Sequence, residues 1–197
     1  SVDPRRLDEL ARGAHQGVIA LTAARPMVSV DDILGNARAK GEPPFVLVLD
    51  GIEDPANLGA LIRTAEGAGL HGVIIPRHRA AGLTPAVARS SAGAVEHLPV
   101  AAVTNLVRTL EELKQAGLWV VGAAPDARDA YHSVRLVPPL AVVMGGEERG
   151  LGRLVREHCD LLVRLPMRGK VASLNVSVAA GVLLFEIIRQ SATAQSS

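Results

Sequence analysis

Five short apolar runs, each closed by turn residues and followed by a helical pattern, constrain this chain more than any other feature. The runs cover residues 45–50, 72–76, 118–122, 140–144 and 161–166. They are nearly continuous in Val, Ile and Leu. Strands covered on both faces read this way, as in a parallel sheet between two layers of helix. Candidate helices follow at 58–68, 85–93, 106–116, 151–158 and 174–189. In the third, Leu106, Val107, Leu110 and Leu113 fall at helical spacing, with Glu111, Glu112 and Lys114 on the other side. Alternating strand and helix specifies an open α/β domain. A chain of 197 residues, 48% apolar, can bury one sizeable core.

The ends read differently. Residues 1–43 hold an amphipathic piece at 4–12, then Gly13-Ala-His-Gln-Gly-Val-Ile19, then a possible helix at 30–40. Gly41-Glu-Pro-Pro44 marks the hinge into the main domain, residues 44–190. Residues 191–197 are small and polar and are expected to fray as a disordered tail.

Composition mostly excludes. A single cysteine, Cys159, forbids an internal disulfide and a cysteine-based metal cluster, and fits a reducing cytoplasm. Lying among apolar residues, it reads as packed. The six histidines lack metal-ligand spacing, no Gly-x-Ser-x-Gly elbow occurs, and no Walker motif occurs. No metal site is expected. No uninterrupted apolar run approaches the roughly 18 residues that span a bilayer, so no membrane partner is expected. Four aromatics argue against a sheet that stacks RNA bases. The net charge of +1 leaves nucleic acid open, because a basic face hides easily in a neutral total. Among the basic residues only Lys40, Lys114 and Lys170 are Lys; Arg favours bidentate phosphate contacts.

Ligands of open α/β sheets bind beyond the carboxyl ends of the strands. Three polar islands obey that rule. After the first strand comes Asp50-Gly-Ile-Glu-Asp-Pro-Ala-Asn-Leu-Gly59, then a helix carrying Arg63. An Asn cap with a solvated Arg explains it as well as a site does. After the fourth strand comes Gly145-Gly-Glu-Glu-Arg-Gly150, where glycines permit close backbone approach and the carboxylates suit a helix N-terminus. After the fifth comes a basic loop, Arg168-Gly-Lys-Val-Ala172, and then Ser173-Leu-Asn-Val-Ser177. Ser173 reads as an N-cap or as part of a ligand site. Asn175 fits a helix interior poorly.

In this order the islands resemble the three motifs of the SpoU/TrmH family of RNA 2′-O-methyltransferases. Asn57-Leu-Gly-Ala-Leu-Ile-Arg-Thr-Ala65 resembles the first motif and Met144-Gly-Gly-Glu-Glu-Arg-Gly-Leu151 the second. Leu165-Pro-Met167 with Ser173-Leu-Asn-Val-Ser-Val-Ala179 resembles the third. Ser91-Ala-Gly-Ala-Val-Glu-His-Leu-Pro-Val100 matches a further family stretch. The likeness runs from about residue 44 to 189. One departure is Glu66-Gly-Ala-Gly69, where an aromatic often precedes the final Gly. His15-Gln-Gly-Val-Ile-Ala20 is similar to the linker after a small L30e-like RNA-binding domain in the branch that methylates a 23S rRNA guanosine. That domain would precede residue 1.

The resemblance implies a SPOUT fold with a deep C-terminal trefoil knot, S-adenosylmethionine as cofactor, RNA as substrate, a homodimer and a cytoplasmic location. It implies Asn57, Arg63, Glu147 and Asn175 as the catalytic set, with Glu147 and Asn175 orienting Arg63 and the ribose. Gly145, Leu165 and Leu174 would offer backbone to the cofactor and Ser173 would support that loop. Arg89, Arg149, Arg168 and Lys170 are candidates for RNA phosphates. Three other readings remain open: a tRNA substrate, a catalytically silent RNA-binding assembly factor, and a dinucleotide-dependent dehydrogenase, whose glycine fingerprint is missing after every strand.

Overall fold

The computed structural model describes residues 26–78 and 80–195. The amphipathic piece at 4–12, the His15-to-Ala20 linker and Arg79 lie outside the described residues. Seven parallel strands form one sheet in the order β3-β2-β1-β6-β4-β7-β5. They are β1 (Phe45–Asp50), β2 (Gly72–Pro76), β3 (Val100–Val103), β4 (Trp119–Ala123), β5 (Asp129–Ala130), β6 (Leu140–Gly145) and β7 (Leu161–Arg164). All five expected strands are present. Two more, β3 and β5, are short and carry little apolar bulk.

Side chains alternate across the sheet, as the pleat requires. Phe45, Leu47 and Leu49 of β1 join Leu140, Val142 and Met144 of β6 on one face. Val46 and Val48 join Ala141 and Val143 on the other. The first face is covered by α2 (Pro55–Gly67), α3 (Pro85–Ser90) and α6 (Val176–Gln195). The second is covered by α1 (Val30–Ala39), α4 (Leu106–Gln115) and α5 (Arg153–Glu157). This double cover is why the strands read as unbroken apolar runs.

Helix ends are set by side chains. Ser29 and Asp32 form a reciprocal capping box on α1. Asp54 caps α2, accepting from the backbone N–H of Ala56 and Asn57, so that helix starts three residues before Leu58. Asn105 caps α4. Close packing also leaves its mark: a Cβ on Gly59 of α2 would collide with Ser90 of α3, and the Ser90 hydroxyl donates to Pro55 O at 3.0 Å.

Two expectations about α6 are corrected. Its N-cap is Asn175 and not Ser173, because Asn175 Oδ1 accepts from the N–H of Ser177 and Val178 (3.0 and 3.4 Å) while Ser173 is exposed. The helix also runs to Gln195, so residues 191–195 do not fray. Ser191 and Thr193 return their hydroxyls to the carbonyls of Ile187 and Arg189. By length and apolar content alone α6 could cross a membrane, with mean hydropathy 1.3 over Val176–Ala194. Instead Ala180, Leu183, Leu184 and Ile187 are fully buried in the core. Each large side chain so buried contributes roughly 1.5–3 kcal/mol.

Candidate active site

β1 and β6 are neighbours in exact register at their ends, where Asp50 pairs with Gly145. Their two following loops therefore meet. Asp50 holds the junction: its carbonyl accepts from Gly146 N at 2.9 Å and its carboxylate from Gly152 N at 2.7 Å. The turn between is tight, with Gly150 N donating to Gly146 O at 2.8 Å. A Cβ on Gly145 would collide with the backbone of Gly150 and Leu151, and one on Gly146 would lie 2.5 Å from Gly51 O. Gly150 itself has φ +61°. Backbone closeness requires Gly145 and Gly146, and the left-handed φ favours glycine at 150. The glutamates of this loop do not sit at a helix N-terminus, contrary to the structural reading above, because α5 begins only at Arg153 after Gly152.

Glu147 projects from this turn toward the start of α6. Asn175 Nδ2 donates to Glu147 Oε1 at 2.6 Å and to Asn57 Oδ1 at 2.8 Å. Val176 N and Asn57 Nδ2 add longer bonds to the same Oε1, at 3.3 and 3.4 Å. One residue from each sequence island thus enters a single hydrogen-bonded cluster. Asn175 also caps α6, so its Oδ1 and both Nδ2 hydrogens are committed within the protein. It orients Asn57 and Glu147, and has no amide hydrogen left for a ribose.

Arg63 does not join this cluster. It is exposed and makes no ion pair among the described residues. Six residues along α2 it lies about 120° around the helix from Asn57. No hydrogen bond or ion pair among the described residues links Arg63 to Glu147 or Asn175.

The cluster borders a cleft of about 880 Å³ beyond the carboxyl ends of β1, β2 and β6. Asn57, Glu147 and Arg149 line it, with Asp50, Glu53, Asp54, Glu148, His78, Arg153 and the start of α4. Gly145, Leu165, Ser173 and Leu174 do not. The last three belong to residues 165–174, which connect β7 to the cluster, and none of these ten makes a hydrogen bond to another described residue. A segment whose backbone donors and acceptors are uncommitted fits a ligand recognised through backbone groups. The loops after β4, β6 and β7 emerge side by side from adjacent parallel strands, and Arg156 pins the first of them through two bonds to Asp126, at 2.8 and 2.9 Å. That guanidinium holds the Asp126 carboxyl below its usual range.

Three similarities decide the family. The SpoU rRNA Methylase family model matches residues 44–185. A TrmH family tRNA/rRNA methyltransferase of Bacillus subtilis is 52% identical over 96% of this chain and 76% of its own length. The 23S rRNA (guanosine-2′-O-)-methyltransferase RlmB of Pseudomonas aeruginosa is 51% identical over 95% of this chain and 76% of its own length. The chain belongs to the SpoU rRNA methylase family. Its fold is that of SpoU/TrmH methyltransferases. The SpoU methyltransferase AviRb of Streptomyces viridochromogenes, solved in complex with AdoMet, aligns at a TM-score of 0.75 and 29% identity, covering 87% of this chain and 67% of AviRb.

Within that family frame Arg89, Arg168 and Lys170 are exposed and, like Arg149, form no ion pair among the described residues. Cys159 is packed, as expected: its thiol donates to Val155 O at 3.4 Å, and burial pushes its pKa up to about 11. Sequence reasoning missed the roles of Asp50, Asp54 and Gly59. An acid directly before Gly51 at a strand end, and an acid directly before Pro55, were the available signals for the first two. Among the described residues no cluster of His, Cys, Asp or Glu could hold a metal ion.

Proposed function

We propose that this protein transfers a methyl group from S-adenosylmethionine to the ribose 2′-OH of a guanosine in 23S rRNA. The observation that carries this reading is the Asn57–Glu147–Asn175 cluster at the mouth of the cleft. It stands between a space large enough for a nucleoside and a loop with free backbone groups. The RlmB relatives supply the nucleotide class. Gly145, Leu165 and Leu174 would present backbone to the cofactor, with Ser173 beside them. Arg63, Arg89, Arg149, Arg168 and Lys170 would meet RNA phosphates. Arg63 cannot act as a base, since a guanidinium stays protonated; it would clamp a phosphate and stabilise charge developing on the ribose oxygen.

The exposed face of α6 supports a homodimer. Val178, Val182 and Phe185 recur at helical spacing and are 52%, 38% and 53% exposed. Apolar stripes of this kind mark association surfaces. A knotted C-terminal region and a cytoplasmic location complete the reading. The deciding experiment maps 2′-O-methyl groups in rRNA after deletion of the gene, with wild-type and Arg63→Ala complementation, and runs 23S rRNA and tRNA side by side in vitro. Methylation of tRNA alone would replace the substrate. Methylation of neither would sink the reading.

A further inference from the structure

We infer that Glu147 Oε2 is the atom that accepts the ribose 2′-OH proton, an assignment that rests on the methyltransferase reading above. It follows from counting hydrogen bonds. Asn175 is saturated: Oδ1 accepts from Ser177 N, Ser177 Oγ and Val178 N, and both Nδ2 hydrogens are donated. Asn57 can donate or accept a hydrogen bond but its amide is no base. Glu147 Oε1 accepts from Asn175 Nδ2, Val176 N and Asn57 Nδ2. Its lone pairs are used. Oε2 makes no hydrogen bond among the described residues, and its residue lines the cleft. It is the one basic atom of the cluster left with room.

Other carboxylates share the cleft but lack this placement. Asp50 gives one oxygen to Gly152 N and makes no bond to Asn57 or Asn175, and both oxygens of Asp54 cap α2. Glu53 and Glu148 are exposed and held by nothing among the described residues. Only Glu147 is oriented by residues from the other two motifs. Orientation is what a general base needs, because its contribution depends on standing within hydrogen-bond reach of the proton it removes. Asn175 and Asn57 are then positioning residues.

Bound S-adenosylmethionine supplies an activated sulfonium methyl; transfer forms the ribose O–CH₃ bond, breaks the S–CH₃ bond with its electron pair left on sulfur, and releases one proton. Glu147 Oε2 takes that proton as the 2′-O–H bond breaks. The resulting carboxylic acid returns it to water through the open cleft.

The test uses the full chain, S-adenosylmethionine and a 23S rRNA transcript in single turnover. Proton transfer to Glu147 requires the wild-type rate to be flat from pH 7 to 9. E147Q should be about 100-fold slower or more, and its residual rate should climb toward tenfold per pH unit as hydroxide takes over. Cofactor affinity by calorimetry should match wild type, which separates lost chemistry from lost folding. A second readout needs no turnover. RNA whose target ribose lacks the 2′-OH should bind wild type about tenfold more weakly than normal RNA, through one lost bond to a charged acceptor. In E147Q the amide nitrogen occupies the Oε2 position, and that discrimination should fall below twofold. A wild-type rate rising tenfold per pH unit, or an E147Q rate within threefold of wild type, overturns the assignment. Inactivity of wild type on both rRNA and tRNA would instead overturn the function on which it rests.

Discussion

Asn175 holds two jobs at once, and three substitutions pull them apart. Its Oδ1 caps α6, and its Nδ2 bridges Asn57 and Glu147 at 2.8 and 2.6 Å. Asn175→Ser keeps a good cap and removes the bridge, a loss of two hydrogen bonds at about 1 kcal/mol each. Asn175→Ala removes the cap as well, about 1 kcal/mol more. Asn175→Asp keeps the cap but sets a second negative charge where the donor stood. At 2.6 Å from Glu147 Oε1, two unit charges in the dielectric of water repel by about 1.6 kcal/mol. The water value is used because both residues are exposed. The expected losses at pH 8 are therefore about 2 kcal/mol for Ser, about 3 for Ala and about 3.6 for Asp. Two adjacent carboxylates disfavour the state in which both are charged. The Asp penalty thus builds as pH rises through the carboxylate range and vanishes below about pH 4, where Asp should converge on Ser. Urea denaturation followed by circular dichroism at pH 8 and pH 4 measures all of this. An Asp variant as stable as wild type at pH 8 would refute the bridge. Equal stability of Ser and Ala would refute the cap.

Gly59→Ala should destabilise by about 1–3 kcal/mol, because its Cβ meets both the Ser90 side chain and the Ser91 backbone nitrogen; a wild-type melting temperature for Gly59→Ala would contradict the close approach of α2 and α3. Cys159, with its pKa pushed to about 11 by burial, should resist a disulfide-exchange reagent at pH 7.5 and react fully in denaturant; prompt reaction of the native protein would disprove its packing. Glu186 accepts from Arg189 and Gln190, which depress its pKa to about 2. A depressed carboxylate pKa stabilises above the ordinary value near 4.5, and that stabilisation is lost as pH falls through about 2. Carboxyl NMR should therefore show Glu186 titrating near pH 2, and a midpoint near 4.5 would mean the bonds do not persist in solution.

The strands legible in the sequence are those whose both faces meet a helix layer. Residues such as Val46 to Leu49 have no solvent side, so hydrophobicity alone reveals them. β3 is Val-Ala-Ala-Val, with half its residues incompletely buried, and β5 is two residues long; neither carries a pattern that could be seen without its neighbours. Helix starts escape the sequence pattern for a common reason. Asp54 and Asn175 lie outside the apolar periodicity, yet their side chains set where the helices begin. The site divides the same way. Asn57, Glu147 and Asn175 were legible from three motifs that the family resemblance joined. That Asn175 would spend its whole side chain inside the protein, and that Arg63 would stand apart, depend on helix phase and on bonds no single motif encodes.

The strand order explains why so scattered a set can form one cluster. Asn57 and Glu147 are 90 residues apart in sequence and Glu147 and Asn175 a further 28. Had β6 taken its place between β5 and β7, as simple chain order would put it, its loop would open far from that of β1. Inserting β6 between β1 and β4 sets the end of β6 against Asp50, and Asp50 then ties both loops together through Gly146 and Gly152. α6 returns across β6 to pack against α2, and its N-terminus, capped by Asn175, arrives at the same point. Glu147 can be held rigidly only because all three elements are already fixed by the core. Disturbing Asp50 should therefore act on Glu147 without touching it. Asp50→Asn retains an acceptor for Gly152 N and should leave the cluster in place. Asp50→Ala frees the turn and should slow methyl transfer at least tenfold while cofactor affinity stays within twofold, and equal turnover in the two variants would show that the glycine turn holds Glu147 without help from Asp50.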